Sequence, residues 1–212
     1  MVLAIYGCSK GKEAQQSAAS GSITISGAWA LYPLVKQWAD LYQKQNPDIT
    51  ITIAATGACK GMTDALSGAV DLGMVSREIR KSEVDRGAWW VSVAKDAVVP
   101  VMNMANPLGE ELLKKGMTRK ELTQIWILGT ITDWGKIVPA AKVHPIHVYT
   151  RSDACGASET WANYLGGSLE DLKGKCVYGD PGIADAVRED ILGIGYNNVN
   201  FAYDPRTRKP IP

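Results

Sequence analysis

Apolar and polar residues alternate over 22–26 and the alternation stops at Gly27, which predicts a short strand closed by a turn. The period then lengthens. Leu31, Leu34, Val35, Trp38, Leu41 and Tyr42 recur at helical spacing, Pro33 falls in the first turn where a missing N–H costs little, and Asn46-Pro47-Asp48 ends the run. A strand over 49–54, a small-residue loop over 55–61, a helix over 62–69 and an apolar strand over 71–75 follow. This β-α-β-α-β order predicts an α/β fold with a mainly parallel sheet covered by helices.

Apolar runs at 89–94 and 97–103 flank Lys95-Asp96, and the second is expected to cross into another lobe. Thr118 with Glu121 forms a capping box ahead of Leu122, Ile125 and Trp126 and marks a helix start. A strand over 145–150, a glycine-containing loop over 151–156 and a helix over 157–165 repeat the earlier unit. A helix over 181–188, with Pro181 in its first turn, and a strand over 193–196 complete the pattern. The expected organisation is a leader remnant and tether at 1–21, a first lobe at 22–95, a second lobe at 96–190 and a return toward the first lobe at 191–212.

Composition narrows the field. With 46% hydrophobic and 21% charged residues in 212, the chain can bury a core, and two small lobes are allowed. The 23 basic and 22 acidic residues are interspersed and leave a net charge of +1, so no footprint for a polyanion exists and nucleic acid is not an expected partner. Cys8, Cys59, Cys155 and Cys176 form no CxxC pair, which argues against zinc. The opening Met-Val-Leu-Ala-Ile-Tyr-Gly-Cys is apolar up to Cys8 and then turns small and polar through Ser22. That junction resembles the lipobox of bacterial lipoproteins, which implies lipid attachment at Cys8, a flexible tether and a periplasmic or cell-surface, membrane-anchored protein.

The candidate chemistry lies in three strand-to-helix loops: Gly27-Ala-Trp-Ala-Leu31, Thr56-Gly-Ala-Cys-Lys-Gly61 and Arg151-Ser-Asp-Ala-Cys-Gly-Ala157. A helix start offers unpaired backbone N–H groups and a positive dipole end, so it holds anions, and small residues let the backbone come close. The series ISGAWALYPLVKQWADLYQ, ATGACKGMTDALSGAVDLGMVSREI, GTITDWGKI, VYTRSDACGASETWANYL and GDPGIADAV…GIGYNNVNFAYD resembles, in order and spacing, the phosphate-binding proteins of phosphate ABC transporters. That resemblance implies a two-lobed periplasmic-binding-protein fold of type II that clamps phosphate, or a similar tetrahedral oxyanion, between its lobes and delivers it to a permease. It implies a monomer, no cofactor and no metal. It also implies that the C-terminal element of the first lobe is absent from this sequence.

Carried over by position, the resemblance implies backbone donors at Ala30 and Leu31, and ligand contacts at Ala58 and Cys59, at Ser76 and Arg77, and at Cys155, Gly156 and Ala157. Arg151 is the guanidinium expected to fork onto two oxyanion oxygens. The departures are specific. Ala58, Cys155 and Ala157 stand where better-known members place hydroxyls, and Ser76 stands where a carboxylate accepts the proton of hydrogen phosphate, which weakens discrimination against sulfate-like anions. Lys60 and Arg77 are expected to add compensating charge. Cys59 and Cys155 are expected as thiols, because a bond between them would freeze the clamp, and Cys176 is expected in the core. Two rival readings remain: an anion-sensing module without a transporter, and a Cys155 catalyst served by His144 or His147, which a strand would hold away from the loop.

Overall fold

The computed structural model describes residues 20–140, 142–153, 156–204 and 206–211. The first sheet has the order β2-β1-β3, formed by β1 (Gly21–Gly27), β2 (Ile49–Ala55) and β3 (Leu72–Met74), all parallel. Helices α1 (Tyr32–Gln45) and α2 (Ala58–Leu66) make the crossovers, and a short α3 (Lys81–Val84) follows. The second sheet has the order β4-β7-β5-β6, formed by β4 (Val98–Met102), β5 (His147–Arg151), β6 (Lys175–Val177) and β7 (Gly193–Asn198). Only β4 runs antiparallel to its neighbour. Its helices are α4 (Gly109–Lys115), α5 (Arg119–Thr123), α6 (Gly156–Leu165), α7 (Gly179–Glu189) and α8 (Val199–Ala202).

The expected α/β class with two sheets therefore holds, with one shift of boundary. β7, expected at the start of the return to the first lobe, is an inner strand of the second sheet, paired with both β4 and β5. β4 begins at Val98 and β7 ends at Asn198, and the Val199 N–H donates to Ala97 O (2.9 Å) where the two passages of the chain lie side by side. The run at 89–94 forms no regular element, and Trp89, Trp90, Val91 and Val93 are exposed.

The two lobes differ in how well they are filled. The core of the second gathers Trp126, Trp134, Trp161, Ile125, Ile194 and Tyr196, each at most 2% exposed. Trp161 stacks on Tyr196 with centroids 5.6 Å apart and meets Trp126 edge-on at 5.3 Å. Trp126, Trp134 and Trp161 are thus core, and two of their polar tips are placed: Trp126 Nε1 donates to Tyr149 O and Trp134 Nε1 to Leu192 O, while Trp161 Nε1 is buried with no hydrogen-bond partner among the described residues. The first lobe is thinner. Ile25, Ala28, Ala58 and Met74 form its centre, while Trp38, Leu41 and Tyr42 of α1 stay exposed although their spacing is that of a buried stripe. Cys176, expected in the core, is exposed on the edge strand β6.

Candidate functional site

α1 begins directly after the first loop, α2 after the second, and the starts of α6 and α7 lie against Ser76 and Trp29 of the first lobe. At the start of α2 the first intrahelical bond is Gly61 N–H to Gly57 O, so the N–H groups of Ala58, Cys59 and Lys60 have no partner within the helix. Thr56 and Gly57 both donate to Gly27 O, which locks the second loop against the first. Ala58 is buried and Cys59 is half-buried with a free thiol. In the first loop Leu31 N–H already turns onto Ala28 O (3.2 Å), and Ala30 O accepts from Asn200 Nδ2 (3.4 Å), a residue of α8. Leu31 is thus spent within its own turn, and the donor expected there is not presented outward.

The loop after β3 reaches the second lobe. A Cβ placed on Gly156 would lie 2.1 Å from Ser76 O and 2.5 Å from Ser76 Oγ, so the start of α6 rests directly on Ser76 and only glycine permits that approach. Ala157 and Ser158 follow, both buried. Arg77 is 3% exposed at its side chain and is clamped by Glu83, with NH1–Oε2 at 3.0 Å and NH2–Oε1 at 2.6 Å. Glu83 is held down to about 2, chiefly by the Arg77 hydrogen bond, with the Arg80 backbone N–H adding to it. Arg77 is raised in turn, first by Glu83, with the Cys59 thiol beside it acting the same way. Glu159 on α6 closes the array across the boundary, 3.1 Å from Arg80 NH2 and 3.8 Å from Arg77 Nε.

Arg151 ends β5 with its side chain fully buried. Its Nε and NH2 take both oxygens of Asp153 (2.8 and 2.6 Å) and its NH1 takes Asp180 Oδ2 (2.7 Å). The guanidinium edge expected to fork onto an oxyanion is therefore occupied by Asp153, and the group lies between two carboxylates. Burial pushes the Asp153 carboxyl up, but the hydrogen bond and charge of Arg151, with the Gly179 N–H, together leave it lowered. The aromatic core holds this strand end: Tyr196 Oη accepts the Arg151 N–H (3.2 Å) and bonds Thr150 Oγ1 and Ser158 Oγ at 2.9 Å each. A Gly179 N–H to Asp153 Oδ1 bond (3.1 Å) brings in the start of α7. Opposite it stands Trp29, whose ring meets Tyr178 edge-on at 6.3 Å and whose Nε1 would lie 3.2 Å from a Cβ on Gly179.

Three polar atoms on first-lobe loops, Trp29 Nε1, Thr56 Oγ1 and Arg77 Nε, are buried and lack a hydrogen-bond partner among the described residues. Two of them are obligate donors, and a buried donor left unmatched costs about 1–3 kcal/mol, so these atoms favour a ligand rich in acceptors.

Among the described residues named from the sequence, Ser76 and Gly156 meet directly, and Arg77 lies within 3.8 Å of Glu159 on the helix that Gly156 opens. Cys8 and Cys155 lie outside the described residues. Sequence reasoning passed over Asp153, Glu159 and Asp180, whose partners are 2, 79 and 29 positions away in the chain, and over Trp29 although it sits inside a named loop. The one available signal was an acidic residue in the first turn of α6 and of α7. Lys60 bonds Asp64, which also accepts from Ser26 Oγ (2.8 Å), so its charge is already compensated. His147 pairs with Asp190 (2.7 Å) at the opposite end of β5 from Arg151, about 13 Å along the strand, too far to serve the loop after it.

The family model described as a PBP superfamily domain matches residues 12–209. The phosphate-binding protein PstS of Bacillus subtilis is 28% identical over 189 residues, covering 89% of this chain and 60% of its own. PstS 2 of Streptococcus agalactiae is 27% identical over 126 residues, 59% of this chain and 41% of its own. The chain thus spans about half the length of these curated relatives. A crystal structure from Clostridium perfringens, described as a phosphate ABC transporter substrate-binding protein with bound phosphate, superposes with a TM-score of 0.77 at 25% identity and covers 90% of this chain and 75% of that one.

Proposed function

Because the chain belongs to the PBP superfamily, we propose that it captures phosphate, or a tetrahedral oxyanion like it, between its two lobes and delivers it to the permease of an ABC importer. The observation that carries this reading is the set of unmatched buried donors, Trp29 Nε1 and Arg77 Nε with the Thr56 hydroxyl, on loops that meet the helix starts of the opposite lobe. An oxyanion there exchanges its water for fixed N–H and O–H groups as the lobes close, and no bond of the ligand is made or broken. The site draws on oriented donors more than on net charge, since Arg151 stands between Asp153 and Asp180 and Arg77 against Glu83. Arg151, Ser76, Arg77, Cys59 and the helix starts at Ala58 and at Gly156 and Ala157 make up the proposed contact set, with Trp29 and Thr56 added and Leu31 left out.

The protein acts in this reading as an extracytoplasmic monomer, tethered through an acylated Cys8. The likeness to proteins named for phosphate binding supports the choice of anion. Ser76 in place of a carboxylate leaves sulfate less strongly repelled. Calorimetric titration of the folded protein with phosphate, arsenate, sulfate and tungstate tests the reading: saturable one-to-one binding of phosphate is expected, and no heat with any of the four would overturn it. Mass spectrometry of the native membrane fraction should find a diacylglyceryl group on Cys8.

A further inference from the structure

Asp180 joins two places that the proposed clamp must move together. It begins the second residue of α7, its side chain is 1% exposed, and its two oxygens face different neighbours. Oδ2 takes Arg151 NH1 at 2.7 Å. Oδ1 takes the Asn198 backbone N–H at 3.2 Å and Asn198 Nδ2 at 2.6 Å. Asn198 is the last residue of β7, paired in register with Val98, the first residue of β4. There the two passages of the chain lie side by side. The neighbouring Asn197, fully buried, donates from Nδ2 to Asp180 O (2.9 Å), so the main chain of α7 is fastened to the same strand end. Two residues further on, Asn200 reaches Ala30 O in the first lobe (3.4 Å).

A carboxylate of this kind is not needed to neutralise Arg151, because Asp153 already does so with a two-point contact. Asp180 adds a second negative charge beside one guanidinium, at a desolvation cost that packing alone would not repay. What it provides is a rigid, charge-assisted path from the guanidinium to the crossing strands. Resting on the oxyanion reading above, we propose that Asp180 is a positioning residue that ties the placement of Arg151 to the angle between the lobes, so that hinge closure and presentation of the guanidinium are one event. Asn198 is its counterpart on the hinge.

The test is a double-mutant cycle in the full chain. Asp180→Asn keeps the size of the side chain and removes its charge, and it is compared with the parent in both the native and the Arg151→Lys backgrounds. Phosphate affinity is read by calorimetry, stability by thermal unfolding, and the exchange of the Asn198 and Val199 amides by hydrogen–deuterium measurements without ligand. The expected result is a dissociation constant raised on the order of tenfold by Asp180→Asn, in the range usual for coupled sites, with the effect lost once Arg151 is already Lys. An equal loss in both backgrounds, or a fall in Tm with affinity unchanged, overturns the proposal and leaves Asp180 a structural residue. If Asp180→Asn does not fold, Asn198→Ala cuts the same path from its other end. Should the parent bind no oxyanion, the functional reading fails by itself, and the coupling still stands or falls on exchange: Arg151→Lys must speed exchange at Asn198, and unchanged rates refute it.

Discussion

Replacing Gly156 by Ala tests the lobe contact with a single methyl group. The residue opens α6, its φ is not among the left-handed values, and helix formation favours Ala over Gly by up to about 1 kcal/mol, so the second lobe should tolerate the change. The contact across the boundary should not. The new Cβ would stand 2.1 Å from Ser76 O and must retreat to about 3.4 Å, the start of ordinary contact, and the nearest atom is backbone that cannot rotate away. The lobes are then held apart by more than 1 Å along that line. A shift of this size lengthens the bonds that an anion receives from the facing loop, each worth about 1.5–3 kcal/mol to a charged group. Loss of one or two of them amounts to about 3 kcal/mol, or on the order of 100-fold in the dissociation constant. Calorimetry with phosphate measures the loss, and small-angle scattering shows whether the variant remains open at saturating ligand. Ser76→Gly added to Gly156→Ala removes the Oγ but not the carbonyl, so it should restore little. Binding within twofold of the parent, with a closed scattering profile, would refute the reasoning.

Glu83 is held at about 2 in the folded chain against an ordinary 4.5, so its contribution is complete above pH 4.5 and disappears as pH falls toward 2. With allowance for solvent screening this is about 1–3 kcal/mol, and the acid limb of a denaturation-against-pH series should flatten in Glu83→Gln. Arg151→Ala leaves Asp153 and Asp180 without their cation, and chemical denaturation at pH 7 should show a loss of about 3–5 kcal/mol that shrinks in acid as Asp153, lowered in the parent by Arg151, protonates. Thr118 accepts from Glu121 N–H while Glu121 accepts from Thr118 N–H, and Thr118→Ala should lower stability by about 1 kcal/mol with phosphate affinity unchanged.

Local patterns in the sequence were sufficient for many of the elements, though not for α3, α4, β6 or α8. The alternation before Gly27, the Pro33 start, the Thr118–Glu121 box and the apolar run of the last strand each depend on residues within a few positions of one another, and each matches β1, α1, α5 and β7 in place and type. The three small-residue loops were legible for the same reason: such a turn between strand and helix is a local signal, and five collinear segments that include them carry a resemblance that no single one does. The assignment of β7 to the second sheet was not legible, because pairing with β4 and β5 joins residues about 50 to 100 positions apart and its apolar residues suit either sheet. Nor was the state of the charged groups. Arg151 reads from sequence as a cation ready for an anion, yet Asp153 and Asp180 already hold it, and Arg77 reads as added charge for the anion yet lies buried against Glu83. Side-chain type and spacing determined which groups the boundary contains. How much of their charge and hydrogen-bonding capacity is left for a ligand was decided only by the tertiary structure, since distant residues compete for the same donors once burial removes the water that would otherwise serve them.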